Sequence, residues 1–357
     1  MKIAPRVLIG ILALPLLAPA QTPVDEPMPR ASDFPINVRN VLAPTTVTDK
    51  NGDFIAGLQP SNFTLYDNDR PQRLNVDVSY RPISLVIAVQ DNNMMNDVLP
   101  QIQRMGNVLE ALVIGDAGEA AVIAFDHRIR VMQDFTSDSG KITDALKKIT
   151  PGSSSHRMID ASMEAIRMLR SRAPERRRVL LLFSETRDGS SEGRIREVLR
   201  EAQLNNVLVY TVDISHVMTE LTGKAIPPRP DPIPAEAQHV PGYAPQTPTA
   251  IDTNTRDLGN WLNIIPEIFT AAKYKIVDNP ATVLTQYTGG RQYSFVKQKT
   301  LERDLSQLGE ELHSQYMLSY APNDLNQGGF HHIRVEVDRA GLVVRTRPGY
   351  WVGPEAQ

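Results

Sequence analysis

The spacing of apolar and polar residues changes character several times along this chain. Between residues 36 and 80 the two classes alternate, which predicts half-buried strands. Asn37 to Val41 starts a strand and Thr45 to Thr48 continues it; Phe63 to Tyr66 and Leu74 to Val78 alternate again. Asp49-Lys50-Asn51-Gly52-Asp53 and Asp67-Asn68-Asp69-Arg70-Pro71 supply the turn residues between them, so this stretch reads as hairpins. From Ser84 the rhythm becomes apolar run, amphipathic run, apolar run. Buried strands are predicted at 84–89, 120–125, 179–183 and 207–212, and helices at 97–113, 139–149, 158–171 and 192–204. Within 158–171, Met158, Ala161, Ala165, Met168 and Leu169 fall at helical spacing and predict a stripe packed on the sheet.

Residues 217–256 break the pattern. Pro227, Pro228, Pro230, Pro232, Pro234, Pro241, Pro245 and Pro248 cannot occupy a helix interior or a central strand, so the segment reads as an insertion or a polyproline-type ligand. Helical character resumes over Asn260 to Val277. Thr282 to Tyr287, Gly289-Gly290 and Leu301 to Leu312 predict helix, turn and helix. A strand follows at Gln315 to Ala321, and Ile333 to Val337 and Leu342 to Thr346 predict a hairpin about Asp338-Arg339-Ala340-Gly341. Alternating strands and helices imply an α/β domain, a doubly wound, mostly parallel sheet. An accessory β domain from the flanking segments completes it.

The amino terminus changes the setting. Lys2 and Arg6, the apolar stretch Val7 to Leu17 and the small residues of Ala18-Pro19-Ala20 predict a signal peptide over 1–20, cleaved before Gln21. An uncleaved anchor would need about 20 apolar residues, which the stretch does not reach. A Pro-rich leader over 21–35 follows, then a β segment at 36–80, the α/β domain at 81–312 and the C-terminal hairpin segment at 313–351. The chain is expected to be exported to the periplasm or extracellular space, with no membrane span once mature.

Composition narrows the chemistry. The 357 residues carry a net charge of -3, which gives no support to a nucleic-acid partner. There is no cysteine, which removes disulfides, thiol catalysis and cysteine-based zinc sites. Walker and dinucleotide glycine patterns are missing after every predicted strand.

Three segments resemble the von Willebrand factor A-like proteins of the kind abundant in acidobacteria. They are Val47 to Gly52 with Leu58 to Asp67, the α/β region from Ser84 onward, and an ending of Tyr316 to Tyr320, Phe330 to Val335 and Arg345 to Trp351. The resemblance implies a metal-ion-dependent adhesion site at the carboxyl edge of the sheet. There an Asp-x-Ser-x-Ser loop, a Thr and an Asp surround Mg2+ or Mn2+, and a partner's carboxylate completes the shell. In this chain Asp91 matches the first aspartate. Asn93 and Met95 stand at the serines, His156 at the threonine and Glu185 at the second aspartate. A thioether is a poor ligand for a hard cation. Two readings follow: a weak divalent site on Asp91, Asn93 and Glu185, with His156 selecting a softer metal, or a degenerate site whose surface binds partners without metal. Loss of both hydroxyls favours the second.

Other patterns weigh less. Gly189-Ser190-Ser191-Glu192-Gly193 matches a hydrolase nucleophile pattern, but the elbow needs its serine directly after the strand, and Ser191 stands near the start of the next predicted helix. Asp213 and His216 are not diagnostically spaced as triad partners. His331 and His332 are strand neighbours that point to opposite faces. Arg167, Arg170, Arg172, Arg176, Arg177 and Arg178 read as the solvated end of a helix. The expectation is a non-enzymatic module that binds a protein or cell-surface ligand through Asp91, Asn93, His156 and Glu185. It would need no cofactor beyond, at most, a weakly held Mg2+ or Mn2+. The alternatives are a serine hydrolase using Ser191 and an inert scaffold that binds through its Pro-rich segment.

Overall fold

A computed structural model describes residues 41–77, 81–109, 117–214, 279–295, 298–323 and 329–352. The predicted signal peptide, the leader, the start of the first strand, the Pro-rich insertion and the helix at 260–277 lie outside the described residues. Among the described residues no helix is long and apolar enough to cross a membrane.

The central layer is a six-stranded sheet. Its strands are β5 (Ile83–Gln90), β6 (Glu119–Phe125), β7 (Ile129–Thr136), β8 (Arg177–Ser184), β9 (Val207–Asp213) and β10 (Gln292–Ser294), in the order β10-β9-β8-β5-β6-β7. All neighbours run parallel except β7, which is antiparallel to β6. Every residue of β5 and β9 is buried, as strands covered on both faces require. One face carries α1 (Leu99–Gln103), α2 (Gly106–Leu109), α3 (Ser139–Lys147) and α7 (Gln298–Ser314). The other carries α4 (Met158–Arg170), α5 (Ile195–Leu204) and α6 (Pro280–Thr288). Met158, Ala161, Ala165 and Leu169 are buried in that second layer, while Met168 is half-buried against it.

The segments on either side of the α/β domain form two four-stranded sheets. One is β13 (Val343–Arg345), β1 (Val41–Thr48), β11 (Tyr316–Tyr320) and β4 (Asn75–Asp77). The other is β14 (Gly349–Val352), β12 (Gly329–Val337), β2 (Phe63–Asp67) and β3 (Arg70–Pro71). Val41, Ala43, Leu65, Leu318, Tyr320 and Val335 meet in a core with contributions from both sheets. Asn68 and Asp69, at φ 45° and 61°, close the β2–β3 turn in the left-handed conformation that short Asn and Asp side chains tolerate. The core holds one polar knot. Asp67 accepts hydrogen bonds from Tyr320 Oη (2.9 Å) and Tyr350 Oη (2.8 Å), and its other oxygen lies 2.9 Å from His331 Nδ1. His332, the next residue, is exposed on the opposite face.

Several expected boundaries shift. Over its described residues the single helix expected at 97–113 is instead a 3-10 segment (Asn93–Asp97), then α1 and α2, separated at Arg104-Met105 beside Gly106, a poor helix former; residues 110–113 lie outside the described residues. The helix expected from 192 starts at Ile195, because the N–H groups of Glu192 and Gly193 are held by the Asp160 carboxylate. β7 and β10 escaped the pattern reading. The C-terminal hairpin is corrected: β12 has β2 on one edge and β14 on the other, so β13 crosses to the opposite sheet and pairs with Thr46 to Thr48.

Candidate functional site

Parallel strands all point their carboxyl ends to one edge, where loops from different strands converge. Here β5 delivers Asp91, β6 delivers Asp126 and β8 delivers Glu185. The loops are stitched together through the backbone. Gly152 N donates to Asp91 O (2.6 Å), Asn93 N to Ser153 O (2.7 Å), and Gly189 and Ser190 N both donate to His156 O (3.1 and 3.0 Å).

Asp126 is the hub of this stitching. Its Oδ1 accepts from Arg128 N (2.8 Å) and its Oδ2 from Ser153 N (2.9 Å), with His127 Nδ1 at 3.1 Å. Burial pushes the carboxyl up, but these hydrogen bonds and the neighbouring His127 outweigh it and hold it down at about 2. Gly152 packs so close that a Cβ there would lie 2.3 Å from Asp126 Oδ2.

Asp91 is differently placed. It is fully buried, and its Oδ2 accepts a hydrogen bond from Arg130 Nη2, delivered from β7 across the width of β6. Burial pushes the Asp91 carboxyl up to about 6; Arg130 pulls it down and Asp126 adds to the rise. Asp91 Oδ1 has no hydrogen-bond partner among the described residues, and neither amide atom of the buried Asn92 has one.

His156 and Glu185 form a second group. His156 Nε2 lies 3.0 Å from Arg187 O and 3.4 Å from Glu185 Oε2. Glu185 is gripped reciprocally by Gln90: Gln90 Nε2 donates to Oε2 (3.2 Å), and Glu185 N donates to Gln90 Oε1 (3.0 Å). Asn93 is exposed and joins the edge through its backbone. Met95 is fully buried in the apolar cluster with Val89 and Met105, so the position of the second hydroxyl has become core; Met94 beside it is exposed.

These residues do not fit a divalent-cation shell. Asp91 spends one oxygen on a guanidinium, the thioether points into the core, and His156 and Glu185 are engaged with each other and with Gln90 and Arg187 O. Among the described residues no group of three or more His, Asp or Glu side chains is arranged to hold a metal ion. Sequence reasoning missed Asp126, Arg130 and Gln90. Asp126 carried the same signal as Asp91, a carboxylate directly after an apolar strand. Arg130 carried none, because its contact spans two strands.

Ser191 serves the loop. Its Oγ donates to Asp188 Oδ1 (2.7 Å) and accepts from Asp160 N (3.2 Å), while Asp188 Oδ1 accepts from Ile159 N (3.0 Å). The pair thus caps the first turn of α4, whose own N-cap residue, Arg157, makes no side-chain cap. This replaces the expected role of Ser191 at the start of α5. At the opposite edge Arg172 and Arg176 pair with Glu119, and Arg176 and Arg178 donate to the carbonyls of Ile83, Ala117, Arg172 and Asn205. Those three arginines fasten loops there, whereas Arg167 and Arg170, in the last turn of α4, stand solvated as expected.

A family model for the von Willebrand factor type A domain matches residues 89–234. The chain therefore carries a VWA domain, a mixed sheet of mostly parallel strands flanked by helices. Solved structures with similar chains include BatB of Bacteroides thetaiotaomicron, at 13% identity over 64% of this chain and 98% of that one, TM-score 0.40. An aerotolerance-related membrane protein of Bacteroides fragilis is 14% identical over 64% of this chain and 99% of its own, TM-score 0.38. The vWF domain of the type V pili tip protein Mfa5 of Porphyromonas gingivalis is 14% identical over 31% of this chain, which spans 40% of that one, TM-score 0.27. No curated protein matches.

Proposed function

We propose that this is an exported VWA-domain protein of the acidobacterial type, with a degenerate adhesion site, that binds a protein or cell-surface ligand. In this reading the carboxyl edge of the central sheet is the binding face, and binding needs no divalent ion and involves no catalysis. The observation that carries it is the guanidinium of Arg130 on Asp91, at the one residue that matches the metal-binding pattern. Export rests on the amino-terminal segment alone.

Site-specific cross-linking tests the face. A photoreactive residue replacing exposed Asn93 is expected to capture a partner in the producing cell, and capture should persist in EDTA. The same residue replacing exposed Glu175, at the opposite edge, should not capture it. Equal capture from both positions, or none from Asn93, would overturn the assignment. Loss of capture in EDTA would overturn metal independence alone.

A further inference from the structure

The buried polar atoms left without partners are concentrated at this edge. Asp91 Oδ1, both amide atoms of Asn92, Arg130 Nε and His156 Nδ1 make up five of the thirteen such atoms among the described residues. Such atoms are costly to bury and call for an explanation: an acceptor ligand answers the donors Asn92 Nδ2 and Arg130 Nε, and ordered water the acceptors Asp91 Oδ1 and Asn92 Oδ1. The charges at the edge indicate what kind of ligand. Its buried acids on β5, β6 and β8 are already answered from within: Asp91 by Arg130, Asp126 by two backbone N–H groups, Glu185 by Gln90 and His156. The exposed acids on these loops are Asp97 and Glu192, and Glu192 pairs with Arg157. On the hairpin that carries Arg130, by contrast, Arg128 is 61% exposed, His127 49% and Arg130 itself 33%. The guanidinium offers five donors in a plane and commits one to Asp91.

We propose that Arg130 is the resident cation of this edge, fixed on Asp91 in the place a divalent ion would take, and that it receives a carboxylate from a partner protein. The proposal rests on the carboxyl edge being the binding face. Arg130 cannot dissociate as an ion can, so its positive charge stays in place and is indifferent to chelators. A second cation beside it is disfavoured by like charge, so the wild-type edge refuses Mg2+ and Mn2+.

The test uses the full chain and two capped peptides, acetyl-Gly-Asp-Gly-amide and acetyl-Gly-Asn-Gly-amide, followed through the arginine Nε–H signals in NMR. The Arg130 signal is identified by its loss in Arg130→Lys. The Asp peptide should move that signal saturably in EDTA, and the Asn peptide should bind about tenfold more weakly or less. Added Mn2+ should leave the amide signals of Val89 to Asn93 unbroadened. Equal response to both peptides, a response that needs Mg2+, or Mn2+ broadening at Asp91 would overturn the proposal. Arg130→Gln alone strands a buried carboxylate, so the double variant Asp91→Asn, Arg130→Gln is the paired control. It should fold, and the Asp peptide, which shifts the amide signals of Val89 to Asn93 in the wild type, should leave them unmoved; a shift equal to that of the wild type also counts against Arg130. If the Asn93 cross-link still captures its partner from the double variant at wild-type yield, the face stands and the role of Arg130 falls. If Asn93 captures nothing from the wild type, the face itself falls.

Discussion

Two aspartates one strand apart, both fully buried at the ends of their strands, are driven in opposite directions by what surrounds them. Asp126 is held at about 2, below its unfolded value, so its stabilising contribution is complete above about pH 4 and is lost as pH falls through 4 toward 2. The shift corresponds to roughly 2 kcal/mol. Asp126→Asn is expected to cost about that much at pH 7, with a shallower loss of stability below pH 4, as read from urea unfolding at a series of pH values. Asp91 is raised to about 6, so the folded state favours its protonated form. Its contribution falls as pH climbs from about 4 to about 6, by roughly 3 kcal/mol. Asp91→Asn should therefore flatten the curve on that limb. A variant curve parallel to wild type between pH 4 and 6 would show that Arg130 cancels the cost of burial.

At the scale of elements, packing decides what the pattern of residues could reveal. The four strands predicted from apolar runs all formed, because a strand covered on both faces has no polar side and announces itself over its whole length. β7 is an edge strand, half-exposed, with register shifts against β6, so its residues follow neither a clean alternation nor an apolar run. The candidate site divides in the same way. Asp91 and Glu185 sit at the ends of runs legible in the sequence, whereas Arg130 sits on the one long strand of the sheet that was not, and its contact depends on strand order. Gly290 shows a constraint with no local signature. A Cβ there would lie 1.9 Å from Val209 O, so the turn between α6 and β10 closes against the backbone of β9. Backbone cannot move aside as a flexible side chain can. Gly290→Ala is expected to cost about 3 kcal/mol or more, seen as a lower melting temperature or loss of soluble protein. A variant that melts with the wild type would mean the turn can shift freely.

For the whole described molecule, the α/β domain is an insertion between β4 and β11, and the halves of the β sandwich on either side of it pair directly, β1 with β11 and β2 with β12. Arg345 on β13 carries much of the joint between sandwich and insertion. It donates to the carbonyls of Gly289 (3.0 Å) and Gly290 (2.6 Å), beyond the end of α6, and it pairs with Glu311 of α7. Glu311 is fully buried and accepts a second hydrogen bond from Tyr210 Oη (2.7 Å) in the centre of β9. Burial first, then the facing carboxylate, push the Tyr210 hydroxyl well above its ordinary value, so it stays a donor across the accessible pH range. One arginine thus ties the sandwich to two helices and, through Glu311, to the core of the sheet. Removing it leaves a buried carboxylate without its cation, a loss on the order of 3–5 kcal/mol. Arg345→Met is expected to split a single urea transition into two, the sandwich unfolding first. The double variant Arg345→Met, Glu311→Gln should recover much of the loss, since it leaves no uncompensated buried charge while the new amide oxygen still accepts from Tyr210 Oη. If the double variant is no more stable than the single one, Arg345 acts chiefly through the Gly289 and Gly290 carbonyls, and the joint lies at the turn rather than at Glu311.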